Sequence, residues 1–235
     1  MARHANSIPA MVDLAESFDW LATPVDQRNG TYRPTIPEQL VRLWIGVRER
    51  IGPQRFDPVL GEVRAGRFER GSDTAWVQTN AERAEDFVNL TLELEAEELS
   101  LNLVGGFDVQ LEKLEAWLGK PKAWRFLRAN PELQMVVFVR HGTRTKAGGG
   151  IFQGARWVEL ERLSLSEVNP IDISTRLTGI SAQLESRTEK LGLHIRRRWL
   201  REEVEAMVDC SAVAAAVDAW IEPIQDIRVT ASRSW

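Results

Sequence analysis

The fold class follows from residues 87–104, which read FVNLTLELEAEELSLNLV. On each side of an acidic turn, leucine alternates with a polar residue, at positions 90, 92 and 94 and then at positions 99, 101 and 103. Strict alternation with a period of two is typical of a β-strand with one buried face, and two adjacent runs predict an antiparallel hairpin. We therefore expect the leucines on a dry face and the polar residues on a wet face.

Further elements are predicted on both sides of this hairpin. Residues 75–79 and 157–163 also alternate, and the apolar run 135–139 is typical of a central strand. Strands grouped between helices favour an α+β fold with a mainly antiparallel central sheet, about residues 75–163, flanked by helices. Apolar residues at helical spacing predict helices at about 8–22, 35–51, 108–118, 121–129, 174–190 and 211–222, and a last strand at 224–230. Two segments are ambiguous: 54–72, a short strand pair or a surface loop, and 193–208, a strand or a helix.

Length and composition place the chain among ordinary globular proteins. Its 235 residues carry a formal net charge of −4, and Cys210 is the only cysteine, so no intrachain disulfide can form. We expect a helical N-terminus plus sheet core at 1–170 and a mixed helical C-terminal extension at 171–235, which can belong to the same domain. The first residues lack the apolar segment of a signal peptide, and no window approaches the ~20 apolar residues of a membrane span. The expected location is cytoplasmic, with no membrane partner.

Two basic segments supply the candidate anion-binding residues. Cations, hydroxyls and backbone amides on a glycine-rich loop can wrap a phosphate, and arginines beside a tryptophan suit a nucleic-acid backbone. The alternatives are a solvated hairpin tip for the first segment and neutralisation by the following glutamates for the second. If the partner is a polyanion, both segments must lie on one side of the protein. The candidates are Arg140, His141, Arg144 and Lys146 in the first segment and Arg196, Arg197 and Arg198 in the second.

The acidic candidates are Glu93 and Glu95, two residues apart on a predicted strand and therefore on one face. A pair of carboxylates can hold the divalent metal of a nuclease or phosphoesterase, and a metal is the only cofactor that this hypothesis requires. The alternative is a solvated sheet surface. With three histidines in the chain, a histidine-rich metal site is nearly excluded. Known phosphate-loop, zinc-protease and nucleophile-elbow motifs do not occur.

Tryptophan is unusually frequent, with nine residues in the chain. Trp76 and Trp117 fall outside the apolar lines of their predicted elements, so we expect them at the surface. Together with Trp199 they are the candidate interface residues, because tryptophan combines a large contact area with a polar edge.

These observations support three hypotheses about function. The first is a non-catalytic binding or accessory protein that presents aromatic and basic surface to a macromolecular partner. That partner is a protein or a second copy in a homo-oligomer, with nucleic acid as the alternative. The second is a metal-dependent nuclease or phosphoesterase that uses the strand carboxylates. The third is a small-molecule-binding α+β domain, which requires an apolar pocket.

Overall fold

The structure is a computed structural model that describes residues 14–24, 27, 36–61, 63–65, 75–79, 89–105, 108–141, 156–165, 168–169, 172–173, 175–176, 179 and 189–231. These residues contain seven helices and seven strands, so the predicted α+β class is confirmed. The helices are α1 (Ala15–Ala22), α2 (Ile36–Ile51), α3 (Pro53–Leu60), α4 (Asp108–Leu118), α5 (Pro121–Ala129), α6 (Arg201–Glu205) and α7 (Ser211–Ala231). The strands are β1 (Val63–Ala65), β2 (Ala75–Thr79), β3 (Asn89–Leu94), β4 (Glu98–Gly105), β5 (Gln134–His141), β6 (Arg156–Ser164) and β7 (Glu189–Leu200).

The sheet is antiparallel, as the alternating sequence predicts. Its hydrogen-bonded order is β1-β2-β3-β4-β7-β5-β6, and antiparallel pairing joins β1 to β2, β2 to β3, β5 to β6 and β5 to β7. Strand β7 extends the sheet beyond the predicted limit near residue 163. The register between β5 and β6 shifts between Val137 and Phe138, which marks a β-bulge.

The described chain forms two compact units. Unit one consists of the described residues within 1–83, 89–102 and 197–224, and unit two of those within 84–88, 103–196 and 225–235. In unit one, the rings of Trp44 on α2 and Phe56 on α3 pack edge to face, 6.1 Å apart. In unit two, Trp117 on α4 packs against Phe126 on α5, with ring centroids 6.2 Å apart. Each unit therefore has its own aromatic contact between consecutive helices.

The leucines of β3 and β4 are buried, which agrees with the predicted dry face. Leu92 and Leu101 are both 0% exposed. The expected wet face is wrong, because Ser100 and Asn102, which alternate with the leucines, are also 0% exposed. The hairpin is central in the strand order, and protein covers both of its faces. Alternation with polar residues therefore marks a buried polar face here and not a solvated one.

Two segments differ from the sequence-based expectation. The ambiguous 54–72 segment begins within a helix, Pro53–Leu60, and also contains strand β1. The helix forms because a proline suits its first turn and because Phe56, Val59 and Leu60 are buried. The predicted strand at 224–230 is instead a continuation of α7 past Pro223. Burial of Ile224 and Ile227 at helical spacing outweighs the ~3 kcal/mol that an internal proline costs.

Among the described helices, none is both long enough and apolar enough to cross a membrane.

Candidate functional site

A buried polar cluster lies on β3 and β4 in unit one. The Asn102 side-chain amide donates hydrogen bonds to the Ser100 hydroxyl at 3.0 Å and to the Glu93 carboxylate at 3.2 Å. Thr91, which shares this face by strand alternation, is 7% exposed. We call Thr91, Glu93, Ser100 and Asn102 the polar cluster. Its hydrogen bonds hold one oxygen of the Glu93 carboxylate in a fixed position.

The predicted carboxylate pair does not form on one strand. Glu93 is half-buried within β3, whereas Glu95 lies beyond the end of that strand. The Glu95 N–H donates to the Glu98 carbonyl at 2.9 Å, so Glu95 belongs to the turn of the hairpin. Within the described residues, no three His, Cys, Asp or Glu side chains are grouped as metal ligands would be. Of the predicted acids, Glu93 alone belongs to the polar cluster.

The three consecutive arginines of β7 have three different environments. Arg196 is 4% exposed, and its guanidinium lies 5.9 Å from the centre of the Phe138 ring. Arg197 stacks over the Trp199 ring at 5.1 Å, and Arg198 lies 3.5 Å from the Glu98 carboxylate. Neighbouring residues of a strand point to opposite faces, so the run cannot present one continuous basic surface. Arg196 is therefore a buried cation and not a surface anion ligand.

Arg196 shares its environment with a histidine that the sequence argument did not single out. The rings of His194 and Phe138 lie 4.6 Å apart in unit two. Burial, with a smaller contribution from the positive charge of Arg196, lowers the pKa of His194 to about 3. The imidazole is therefore neutral at physiological pH. The sequence does contain a signal for this pair: His194 and Arg196 are two residues apart, a spacing that places both side chains on one face of a strand.

The described residues of the two basic segments lie at opposite ends of the pairing between β5 and β7. Arg140 pairs with Lys190, whereas Arg196 pairs with Gln134. Six residues along a strand correspond to about 20 Å. The side chains of Arg140 and His141, and the whole of Arg144 and Lys146, lie outside the described part of the chain. The ladder thus separates the backbones of Arg140 and Arg196, two of the candidates that a polyanion site would need close together.

Two of the three candidate interface tryptophans are buried. Trp117 is 1% exposed and Trp199 is 5% exposed, so neither is at the surface. Trp117 packs against Phe126, and Arg197 covers the Trp199 ring. Trp76 pairs with Glu93 in the β2–β3 register, and its side chain lies outside the described part of the chain.

Of the exposed large apolar side chains in the described part of the chain, two lie on β6, the last of the described strands in the sheet order. Val158 is 44% exposed and Leu160 is 50% exposed. Leu160 lies at the bulge: Glu161 pairs with Val137 and Glu159 with Phe138, so Leu160 has no register partner on β5. We call the exposed residues 158–160 the β6 surface. Alternation predicted this strand, but its position at the end of the sheet was not visible in the sequence.

Two ion pairs involve Glu159, within the β6 surface, and Glu161, which follows it. The Arg162 guanidinium binds the Glu159 carboxylate through two hydrogen bonds, at 2.9 and 2.8 Å. Glu161 accepts a hydrogen bond from Arg176. Each of these carboxylates therefore has a cation beside it.

The sequence matches no protein-family model, and no curated protein matches it. Functional assignment consequently rests on the β6 surface and the polar cluster.

Proposed function

We propose that this chain is a non-catalytic binding protein that contacts a protein partner through the β6 surface. The observation that supports the proposal is the exposure of Val158 and Leu160 on the strand that ends the sheet within the described residues. Strands at sheet edges offer a template for pairing with another chain, and proteins normally protect them with charge, bulges or covering segments. Two adjacent exposed aliphatic side chains at such a place favour a binding role.

The composition of the β6 surface suits a protein partner. Burial of apolar area favours association, and specific interfaces combine an apolar centre with a polar rim. Val158 and Leu160 provide the centre, and the Glu159–Arg162 pair provides part of the rim. The proposed partner is a macromolecule, as expected from the sequence. The proposed contact is the β6 surface, because Trp117 and Trp199 are buried.

A polyanionic partner has less support. Affinity for nucleic acid depends on several cations that reach phosphates together. Arg196 is buried, Arg198 has Glu98 beside it, and Arg140 lies about six residues along the ladder from the position of Arg196. The described arginines are therefore dispersed and partly neutralised.

The proposal can be tested by site-specific photo-crosslinking in the native host. A benzoylphenylalanine at position 160 should link the chain to a discrete protein, whereas the same group at position 208 should not. Val208 is a suitable control because it is 90% exposed and lies outside β6. The linked protein is then purified, and Leu160→Lys should weaken its binding at least about tenfold, or ~1.4 kcal/mol. Equal linking at both positions, or binding that is unchanged by Leu160→Lys, would refute a role for β6.

The polar cluster favours one second candidate, a metal-dependent phosphoesterase. Its support is the Glu93 carboxylate oriented by Asn102, since hydrogen bonds to a ligating carboxylate fix its geometry. The test is saturable, Mn²⁺-dependent hydrolysis of bis-p-nitrophenyl phosphate by the wild type. Glu93→Gln should abolish it, while Glu97→Gln, an exposed control in the same hairpin, should retain it. Absence of metal-dependent hydrolysis in the wild type would remove this candidate.

A further inference from the structure

We infer that the exposed side of helix α5 binds an acidic segment of a partner protein, whose carboxylates pair with Arg125 and Arg128. These arginines and Lys122 are together called the α5 cationic face. The three residues lie outside the two basic segments that the sequence pattern singled out. The inference goes beyond the proposed function, because α5 is a separate element and its role does not depend on a contact at β6.

The segment around α5 is basic in a chain that is acidic overall. Residues 116–131 contain four lysines and arginines and no aspartate or glutamate, whereas the whole chain has a formal net charge of −4. Charges are screened beyond a Debye length of about 8 Å at physiological ionic strength, so the local excess outweighs the distant acidic residues at the surface of this helix. A short segment that lies against α5 therefore meets a positive field.

Helical spacing places the three cations on one side of α5. Lys122, Arg125 and Arg128 follow one another at intervals of three residues, and all three are exposed. The apolar side of the helix is buried through Trp124 and Leu127. A rise of about 1.5 Å per residue spreads the cations over about 9 Å along the helix. Residues 108–141 are described without a gap, so the segments that precede and follow this face are known.

The two arginines of the face are not neutralised by the described part of the chain. Among these residues, neither Arg125 nor Arg128 forms an ion pair, whereas Lys122 contacts Asp226 at 2.9 Å. The guanidinium of Arg55, by comparison, holds a carboxylate of α7 through two hydrogen bonds. A planar guanidinium matches a carboxylate in this geometry. Arg125 and Arg128 can therefore offer the same geometry to carboxylates of another chain.

The helix dipole explains only part of this pattern. A cation in the last turn of a helix is stabilised by the partial negative charge of the C-terminus, and the effect falls off within that turn. Arg128 lies in the last turn of α5, but Lys122 lies in the first turn, where the dipole disfavours a cation. Stabilisation of the helix itself does not account for a cation at each step along the face.

The neighbouring helix limits the width of the positive surface. Helix α4 packs against α5 through Trp117 and Phe126, whose ring centroids are 6.2 Å apart. Helix α4 also exposes Glu112 and Glu115. A nucleic acid or an anionic membrane extends past a single helix and would approach these carboxylates as well. A short acidic segment can lie along α5 alone, so the charges favour a protein partner.

The aromatic and apolar side chains of α5 favour the same partner. Single-stranded nucleic acid stacks on exposed aromatic rings, but Trp124 is 5% exposed. A helix that lies on a membrane inserts its apolar side, and in α5 that side is buried within the protein. Carboxylates three or four residues apart on a partner helix are neighbours, as are Arg125 and Arg128, and this spacing allows two ion pairs to form together.

A titration of the full chain followed by nuclear magnetic resonance tests the inference. The probe is an acetylated, amidated peptide of alternating glutamate and alanine, and the control peptide carries lysine in place of glutamate. Exposed ion pairs are individually weak and screened by salt, so we expect a Kd of about 0.1–1 mM at ~20 mM salt and much weaker binding at ~300 mM. The amide signals of α5 should shift in a saturable manner with the glutamate peptide. Unshifted α5 signals, or equal shifts with the lysine peptide, overturn the inference.

Matched variants locate the contact. Arg125→Glu should weaken binding of the glutamate peptide at least about fivefold, since it replaces an attraction with a repulsion. Arg42→Glu makes the same change in net charge at an exposed position on α2, and it should keep the wild-type Kd. Equal losses in the two variants would show that only the overall charge matters and would overturn the inference. The wild-type α5 signals give the same information without any substitution.

Two further probes separate the acidic protein segment from other anions. A thymidine oligonucleotide with the same number of charges as the peptide should bind no more tightly than the peptide. Vesicles of phosphatidylserine and phosphatidylcholine should not sediment the chain. Tighter binding of the oligonucleotide, or sedimentation with the vesicles that Arg125→Glu abolishes, would overturn the protein segment in favour of a nucleic acid or a membrane.

Discussion

The hydrogen bonds of the polar cluster depend on a single buried side chain, that of Asn102. Its amide donates to both Ser100 and Glu93, and it has no exposed surface. A buried polar group is tolerated when its hydrogen bonds are made, and it is costly when a partner is removed. The short side chains of Ser100 and Asn102 were the available sequence signal, because solvated strand faces more often carry lysine, glutamate or arginine.

Replacement of Asn102 by alanine should lower the free energy of unfolding by about 1–3 kcal/mol. The change removes a donor from Ser100 and from the Glu93 carboxylate and leaves a small void. Urea denaturation followed by circular dichroism measures the loss. Glu97→Ala, at an exposed position in the same hairpin, should change stability by less than ~0.5 kcal/mol. Equal effects of the two substitutions would show that the polar cluster is not stabilising.

His194 should make the protein less stable as the pH falls. Its pKa is about 3 in the folded chain, lowered by burial and by Arg196 from the ordinary value of 6.5. The unfolded chain therefore binds a proton between pH 6.5 and about 3 while the folded chain does not, so stability decreases towards acid in this window. The slope contributed by one such group approaches about 1.4 kcal/mol per pH unit.

Unfolding measured in urea between pH 7.5 and pH 4.5 checks this prediction. The wild type should lose stability more steeply than His194→Gln, which cannot take up the proton. His4→Gln serves as the control and should keep the wild-type slope, since it leaves His194 in place. Parallel curves for the wild type and His194→Gln would contradict the assigned pKa.

The hairpin of β3 and β4 is the element on which the fold depends most. Its leucines lie in the interior, and the strands are central in the sheet order. Strand β6, the last of the described strands in the sheet order, keeps exposed side chains, whereas these central strands are covered on both faces. The same alternation of apolar and polar residues therefore accompanies a buried polar face in the hairpin and exposed apolar side chains in β6.

Leu92→Ala and Leu101→Ala should each destabilise the protein by about 2–5 kcal/mol, because each removes a fully buried side chain and leaves a cavity. Thermal or urea denaturation measures the change. Val208→Ala, at a 90% exposed position, is the control with little expected effect. A loss below ~0.5 kcal/mol at both leucines would mean that the leucine face is not part of the core.

At the scale of the whole molecule, three of the described elements contribute residues to both compact units. Strands β4 and β7 and helix α7 each cross the boundary between the ranges that define the units. When a strand or helix unfolds cooperatively, both of its ends lose structure, so unfolding in one unit should reach the other through these elements. We therefore expect one unfolding transition for the chain.

Hydrogen exchange at increasing urea concentrations measures this cooperativity. The amides of β3 in unit one and of β5 in unit two should lose protection together, with the same opening free energy. Destabilising unit one by Leu92→Ala should then lower protection in β5 by the same amount. Separate transitions for the two strands would show that the units unfold independently.

The sequence alone determined the α+β class, most element positions and the buried leucine faces of β3 and β4. These properties follow from local periodicity, because a period of two or of 3.6 residues places apolar side chains on one face regardless of what packs against it. The helix at residues 53–60 and the end of α7 were missed for the opposite reason. Prolines weaken the local helical signal there, and burial of Phe56 and of Ile227 compensates.

Only the tertiary structure decided which residues meet, which strands lie at the edge and which faces are covered. No local pattern encodes the order of the described strands, which buries the polar cluster and places Leu160 on the last strand. Nor does a local pattern encode the β5–β7 register, which separates Arg140 from Arg196. Both come from pairing between segments distant in the chain. The same pairing buries Arg196 and sets the low pKa of His194, because that shift depends on neighbours brought together by folding.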